Sequence, residues 1–282
     1  MKLHVIDTGY FKLDGGAMFG VVPKSLWKKV NPADDNNMCS WALRCLLVED
    51  GNRLILVDNG IGDKQDEKFF SYYFLHGDQT LDSSLKKAGF SRDDITDVFL
   101  THLHFDHCGG SIRWNADRTK YEPAFRNAVY WSNEEHWQWA TVPNAREKAS
   151  FLKENILPIK ESGQLKFTKE GEEIMPGFRF MYTRGHTEAM MLPMISYKEK
   201  TIVFTADLFP CTGHVQLPWI MAYDVRPLVT LSEKEIFLKK AAEENFILFF
   251  EHDPVNECCS LTATERGIRV DKTFRLDEYF GS

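Results

Sequence analysis

The stretch Thr101-His102-Leu103-His104-Phe105-Asp106-His107 places three imidazoles and one carboxylate close together, directly after the apolar run Val98-Phe99-Leu100. Imidazole and carboxylate donors together suit a borderline ion such as zinc, iron, manganese or cobalt far better than calcium or magnesium. So many donors at this density have little structural use without a metal, and their number suits two ions. If the segment continues the strand, the two-residue period sends His102 and His104 the same way, and the turn that follows aims Asp106 and His107 at a second point nearby.

The remaining donors of a two-ion site are expected at strand ends further along the chain, where a rigid sheet anchors loops that are free to vary. Three places qualify. Phe178-Arg179-Phe180-Met181-Tyr182 leads to His186, Thr201-Ile202-Val203-Phe204-Thr205-Ala206 ends at Asp207, and Phe246-Ile247-Leu248-Phe249-Phe250 leads to Glu251-His252-Asp253. Taken singly, a His or Asp at a strand end is more often a capping group than a ligand. Their order after the His102–His107 cluster is what singles them out.

That order resembles the metallo-β-lactamase-fold hydrolases, whose signature is H-x-H-x-D-H followed by a His, an Asp and a final His at successive strand ends. Leu56-Val57-Asp58-Asn59-Gly60 is similar to the early strand of that family, and Gly185-His186-Thr187 to its Gly-His-Thr turn. Within the family, Ala206-Asp207-Leu208, Phe250-Glu251-His252-Asp253-Pro254, His214-Val215-Gln216-Leu217-Pro218-Trp219 and Met221-Ala222-Tyr223-Asp224 are most similar to the branch of quorum-quenching N-acyl homoserine lactonases and methyl parathion hydrolase-like enzymes. The resemblance implies His102, His104 and His186 on one divalent ion, Asp106, His107 and His252 on the other, and Asp207 between them, with zinc the expected metal and iron, manganese or cobalt compatible. It also implies a hydroxide held between the ions as nucleophile, with Asp106 and Asp207 as the catalytic carboxylates. Two ions about 3.5 to 4 Å apart lower the pKa of water enough for that at neutral pH. Asp58 is the expected partner that steadies the ligand loop.

The chain departs from the lactonases at one position. They carry a Tyr three residues after the bridging Asp; here Leu208 and Phe209 are followed by Pro210. His214 and Tyr223, from the next loop, are the substrate-contacting candidates in its place. The function expected is opening of a lactone or cleavage of an ester of a small molecule, such as an acyl homoserine lactone. Phosphotriester or thiolester hydrolysis, or a redox or non-catalytic dinuclear protein, would use the same donors.

With 282 residues, 43% hydrophobic and 27% charged, the chain can bury a sizeable core as a single α/β domain over residues 1–282. The expected architecture is a four-layer αβ/βα sandwich: two mixed sheets with helices outside. A net charge of −7, from 34 basic and 41 acidic residues, and the lack of any basic tract argue against nucleic acid as a partner. No apolar run is long enough for a membrane span, and Met1-Lys2-Leu3-His4-Val5-Ile6-Asp7 reaches a charge too soon for a secretory segment, so the cytoplasm is the default expectation. The partner is a small-molecule substrate; a homodimer is compatible with the chain. The six cysteines have no disulfide or metal spacing and read as reduced thiols, Cys108 and Cys211 included.

Early strands are expected near 3–7, 17–22, 41–49 and 53–58, with Glu49-Asp50-Gly51-Asn52 turning the last two into a hairpin. Leu81 to Ala88 has helical spacing and stops at Gly89, and Ser232-Glu233-Lys234-Glu235 reads as a capping box opening a helix to about Glu244. His136, near Trp131, Trp137 and Trp139, is expected not to be a ligand. The aromatic run Phe69-Phe70-Ser71-Tyr72-Tyr73-Phe74 is as well placed to wall a substrate pocket as to pack against the sheet.

Overall fold

A computed structural model describes residues 1–281. The strands are β1 (Lys2–Asp14), β2 (Met38–Asp50), β3 (Arg53–Val57), β4 (Asp97–Phe99), β5 (Ile112–Trp114), β6 (Tyr121–Pro123), β7 (Val129–Ser132), β8 (Leu165–Phe167), β9 (Phe178–Thr183), β10 (Met190–Tyr197), β11 (Lys200–Phe204), β12 (Ile247–Phe249), β13 (Cys258–Thr264) and β14 (Gly267–Phe274). The helices are α1 (Gly15–Phe19), α2 (Lys24–Trp27), α3 (Glu67–Ser71), α4 (Leu81–Lys87), α5 (Phe105–Cys108), α6 (Glu134–Thr141), α7 (Lys153–Glu161), α8 (Pro227–Glu243) and α9 (Leu276–Phe280). The chain divides into two compact units: Met1–Gly9 with Leu43–Lys169, and Tyr10–Ala42 with the residues from Glu170 on.

In the first unit the sheet order is β1-β2-β3-β4-β7-β8. β2 and β3 form the expected hairpin, with Asp50 opposite Arg53 and Gly51 at φ 60° in the tight turn. From β3 onward the strands run parallel, and β4 is buried throughout, as an inner parallel strand should be. Leu56, Val98, Leu100, Tyr130 and Ile159 share one apolar cluster with Leu81 and Leu85 of α4. That helix begins at Thr80, whose hydroxyl accepts the Ser83 N–H, and is followed by Gly89 at φ 90°.

In the second unit the order is β14-β13-β12-β11-β10-β9. β11 and β12 are its parallel pair, as the long α8 connection between them allows, and the other pairs are antiparallel hairpin neighbours. Its interior is built on Phe178, Leu192, Ile202, Phe204, Phe237 and Phe249, all buried.

Three local expectations are corrected. Residues 17–22 form no strand: β1 runs on to Asp14, whose carboxylate accepts the Ala17 N–H at 2.8 Å and starts α1. α8 begins at Pro227 rather than Ser232, since proline fits the first helical turn; the Ser232 hydroxyl donates back to the Leu228 carbonyl, and Glu233 is engaged elsewhere. The strand before the histidine cluster stops at Phe99, so His102 and His104 lie on a loop and not on strand period.

That loop turns through α5 into Gly109, where the backbone passes so close to the Ile61 carbonyl that a Cβ on Gly109 would run into its oxygen. Gly109→Ala is therefore expected to destabilise the protein by about 1–3 kcal/mol through a forced backbone shift. Urea unfolding checks this, and an unchanged midpoint would show that the turn has room to spare.

Candidate metal centre

The first unit supplies the H-x-H-x-D-H donors. After β4, the Leu100 N–H still bonds the Trp131 carbonyl, but the Thr101 N–H leaves the ladder and donates to Asp58 Oδ1 at 2.8 Å. Asp58 sits at the end of the neighbouring strand β3, with a left-handed φ of 54°, and is fully buried. Its Oδ2 accepts the Thr101 hydroxyl at 2.7 Å and His107 Nδ1 at 3.1 Å. Because that hydroxyl hydrogen goes to Asp58, the Thr101 oxygen accepts from His102 Nδ1, 3.1 Å away. His102 and His107 are thereby held as Nδ1–H tautomers that present Nε2.

His104 starts α5, and its carbonyl accepts the N–H groups of both His107 and Cys108. Its Nε2 faces Glu147 Oε1 at 3.6 Å, so Nδ1 is the nitrogen it presents to a metal. Glu147 is in turn fixed by the Trp139 indole N–H at 2.7 Å and the Asn144 amide. One donor atom each of His102 and His104 lie within 4.8 Å of each other, as do one each of Asp106 and His107. All four side chains are buried. His136 does more than pack: its Nε2 accepts the Leu103 N–H at 2.8 Å and so holds the loop between the first two histidines.

The second unit supplies His186, Asp207 and His252. His186 lies between β9 and β10 on a turn whose Arg184 and Gly185 N–H groups donate to the Glu233 carboxylate of α8, at 2.6 and 3.0 Å. A Cβ on Gly185 would collide with Thr230, so this turn packs hard against the same helix. Asp207 lies on a 3-10 turn at the end of β11, and His252 just beyond β12. Asp207 Oδ2 is 3.1 Å from His186 Nε2, and Asp207 Oδ1 is 3.2 Å from His252 Nε2. One carboxylate thus addresses two imidazoles, one with each oxygen. Behind them, His186 Nδ1 donates to Asp224 Oδ1 at 2.9 Å, and His252 Nδ1 donates to the Ala42 carbonyl at 2.8 Å.

Burial, the largest single influence on His186, disfavours its proton. Asp207 and then Asp224 outweigh it and raise the imidazole to about 10. A divalent ion at His186 Nε2 would displace that proton, as metal binding at histidine does generally. The donors of each unit fit such an ion: buried imidazoles oriented from behind, with carboxylates beside them. Asp224, Glu147, Glu233 and His136 are orienting residues that local pattern did not reveal. The partners they hold lie some 30 to 50 positions away.

The two substrate candidates differ. Tyr223 is 39% exposed. His214 is buried, its Nε2 donating to the Met18 carbonyl at 2.8 Å, its Nδ1 3.2 Å from Cys211 Sγ, and its ring stacked on Phe19 at 4.9 Å. Burial first, and then the Lys234 charge, bring it down to about 3, so His214 is neutral at pH 7 and braces the loop after Asp207. Pro210 also has a defined task, its carbonyl accepting the His252 N–H at 3.2 Å. All six cysteines are buried thiols outside any disulfide; burial raises Cys108 to about 12, and its Sγ bonds the Leu103 carbonyl.

The sequence profile of the Metallo-beta-lactamase superfamily matches residues 44–252. The chain belongs to that superfamily, has its α/β fold of mixed sheets and helices, and is a hydrolase of that class. Among curated proteins it is similar to the N-acyl homoserine lactonase of Bacillus thuringiensis subsp. kurstaki, 25% identical over 270 residues and covering 89% of this chain and 93% of the relative. Among solved structures, a probable metal-dependent hydrolase from Staphylococcus aureus superposes with a TM-score of 0.88 at 27% identity, over 97% of this chain and 96% of that one. A dizinc quorum-quenching lactonase in complex with a product, N-hexanoyl-L-homoserine, shares the fold with a TM-score of 0.75 at 24% identity, over 98% and 97% of the two chains. No helix among the described residues is long and apolar enough to cross a membrane.

Two outcomes follow. Asp58→Asn keeps the shape but weakens the hold on His107 and Thr101, and metal affinity should fall about 10- to 100-fold; competition with a chromogenic chelator measures it, and wild-type affinity would contradict the orienting role. His214 stays neutral in the fold down to about pH 3, whereas an unfolded histidine protonates below about 6.5, so stability falls as pH drops through that window. Between pH 7 and 5 the metal-free protein should lose about 2 kcal/mol more than its His214→Gln variant in urea unfolding, and equal losses would mean that His214 charges freely in place.

Proposed function

We infer that the protein is a dinuclear metal-dependent hydrolase that opens a lactone or cleaves an ester of a small molecule, an acyl homoserine lactone being the substrate its named relatives suggest. The observation that carries this is Asp207, one buried carboxylate with each oxygen directed at a different imidazole. Such a carboxylate is suited to bridging two ions. In this reading His102, His104 and His186 hold one ion, and Asp106, His107 and His252 hold the other. Zinc is the metal favoured by the donor types and by the dizinc relative, with iron, manganese and cobalt compatible. A single domain over residues 1–282 belongs to the same reading, because the superfamily match takes in segments of both units.

The pair of ions, when bound, would supply a nucleophilic hydroxide at neutral pH and polarise the carbonyl. The chain's own residues do the rest. Thr101, Asp58, Asp224 and Ala42 hold the Nδ1 atoms of His102, His107, His186 and His252, and Glu147 faces Nε2 of His104, so the donor orientation is set before any substrate arrives. Asp207, with both oxygens on the bridge, fixes the pair of ions, and Asp106, the other carboxylate of the set, has a second oxygen that can take the proton given up by water and hand it to the leaving oxygen. Phe69, half-buried and seated on Phe105, offers apolar surface beside the ligand turn, which suits an acyl or alkyl portion better than a charged one.

Elemental analysis combined with a substrate panel tests this. Two divalent ions per chain are expected, with turnover of acyl lactones or aryl esters that a chelator abolishes and added zinc restores. Asp207→Ala should lose metal and turnover together. Full metal content with no turnover of lactones, esters, phosphotriesters or thiolesters would favour a binding or redox role, and full activity in Asp207→Ala would remove the bridge.

A further inference from the structure

α3 is a single turn, started by Asp66, whose carboxylate accepts the Phe69 N–H at 2.7 Å. A helix this short has little stability of its own. Ring contacts hold it to the ligand turn instead: Phe69 meets Phe105 edge-on at 5.4 Å, and Tyr73 lies 5.0 Å from Phe69 and 4.7 Å from Phe105. Phe105 is buried and stands between His104 and Asp106 in the chain. Tyr73 therefore packs on the residue that separates two of the candidate donors in the chain and lies near enough to Asp106 to feel its charge, while its neighbours Tyr72 and Phe74 are 60% and 52% exposed.

The groups around this turn are short of one chemical type. His104, Asp106 and Glu147 present acceptors, the Thr101 hydroxyl is committed to Asp58, and the Trp139 N–H to Glu147. The phenol of Tyr73 is a neutral O–H donor, half-buried and held by rings rather than by hydrogen bonds to its oxygen. Burial first, and the Asp106 charge second, raise it to about 12, so it keeps its proton at neutral pH.

We propose that the Tyr73 hydroxyl donates a hydrogen bond to the substrate oxygen that gains negative charge during hydrolysis. The assignment rests on the hydrolase reading above and adds to it a catalytic residue outside the ligand set. Water adds its oxygen to the carbonyl carbon, giving up one proton to a carboxylate, and the C=O electron pair moves onto the carbonyl oxygen. That pair then returns, the ester C–O bond breaks, and the leaving oxygen takes the proton that water gave up. Tyr73 stabilises the charged oxygen between these events and transfers no proton itself.

Tyr73→Phe keeps the ring on Phe105 and removes only the hydroxyl. On the metal-loaded protein kcat for a lactone or ester is expected to fall about 10- to 100-fold with KM little changed, and metal content and melting temperature are expected to match the wild type. A phosphonate monoester, a tetrahedral mimic of the addition step, should bind the variant more weakly by a similar factor in calorimetry. Wild-type kcat and mimic affinity in Tyr73→Phe would overturn the role of Tyr73 and leave the hydrolase reading standing. Loss of metal or of melting temperature along with kcat would make Tyr73 a packing residue and overturn it equally. A wild-type protein that neither turns over any substrate of the panel nor binds the mimic would overturn the hydrolase reading, and Tyr73 with it.

Discussion

Much of the first unit turns on the carboxylate of Asp58. A fully buried charge is costly unless its oxygens are met by donors, and here three groups meet it: the Thr101 N–H, the Thr101 hydroxyl and His107 Nδ1. Those bonds end strand β4 one residue early and send the chain into a turn. They also choose the nitrogen that His107 and, through Thr101, His102 present. The parallel pairing of β3 with β4 is what brings the end of one strand beside the start of the other's loop. A sheet register slipped by one residue would turn the carboxylate to the opposite face.

The second unit solves the same problem with different groups. Asp224 and the Ala42 carbonyl anchor the Nδ1 atoms of His186 and His252, and Asp207 meets both Nε2 atoms. Around this lies a rigid packing of aromatic rings, with Phe19 stacked on Trp27 at 5.3 Å and on His214 at 4.9 Å. The buried Lys234 donates to the Gln216 and Trp219 carbonyls and ties the same loop to α8. Burying a lysine and a neutral histidine costs stability, and their return is a loop after Asp207 that cannot easily shift.

The candidate donors stand out in the sequence because two signals coincide at them: an apolar run that reads as a strand, and a metal-binding residue type just past its end. His186, Asp207 and His252 each lie where that pair of signals places them, beyond β9, β11 and β12. The β2–β3 hairpin and α4 were legible for local reasons too, a glycine turn and a capping threonine. What the sequence concealed depends on distant partners. Glu233 looks like part of a capping box, yet its carboxylate is taken by the Arg184 and Gly185 N–H groups, 49 and 48 positions away. His136 looks like packing, yet holds the Leu103 N–H. Residues 17–22 have strand-like composition, but Asp14 caps a helix there. Tertiary hydrogen bonds overrode local pattern in the first two cases, and a local helix cap overrode strand-like composition in the third.

Anomalous diffraction at the zinc edge from a metal-loaded crystal shows whether seven side chains hold a pair of ions. Two peaks about 3.5 to 4 Å apart are expected, with Asp207 between them, His102, His104 and His186 around one, and Asp106, His107 and His252 around the other. A single peak, or peaks that leave Asp207 outside coordination distance, would contradict this arrangement.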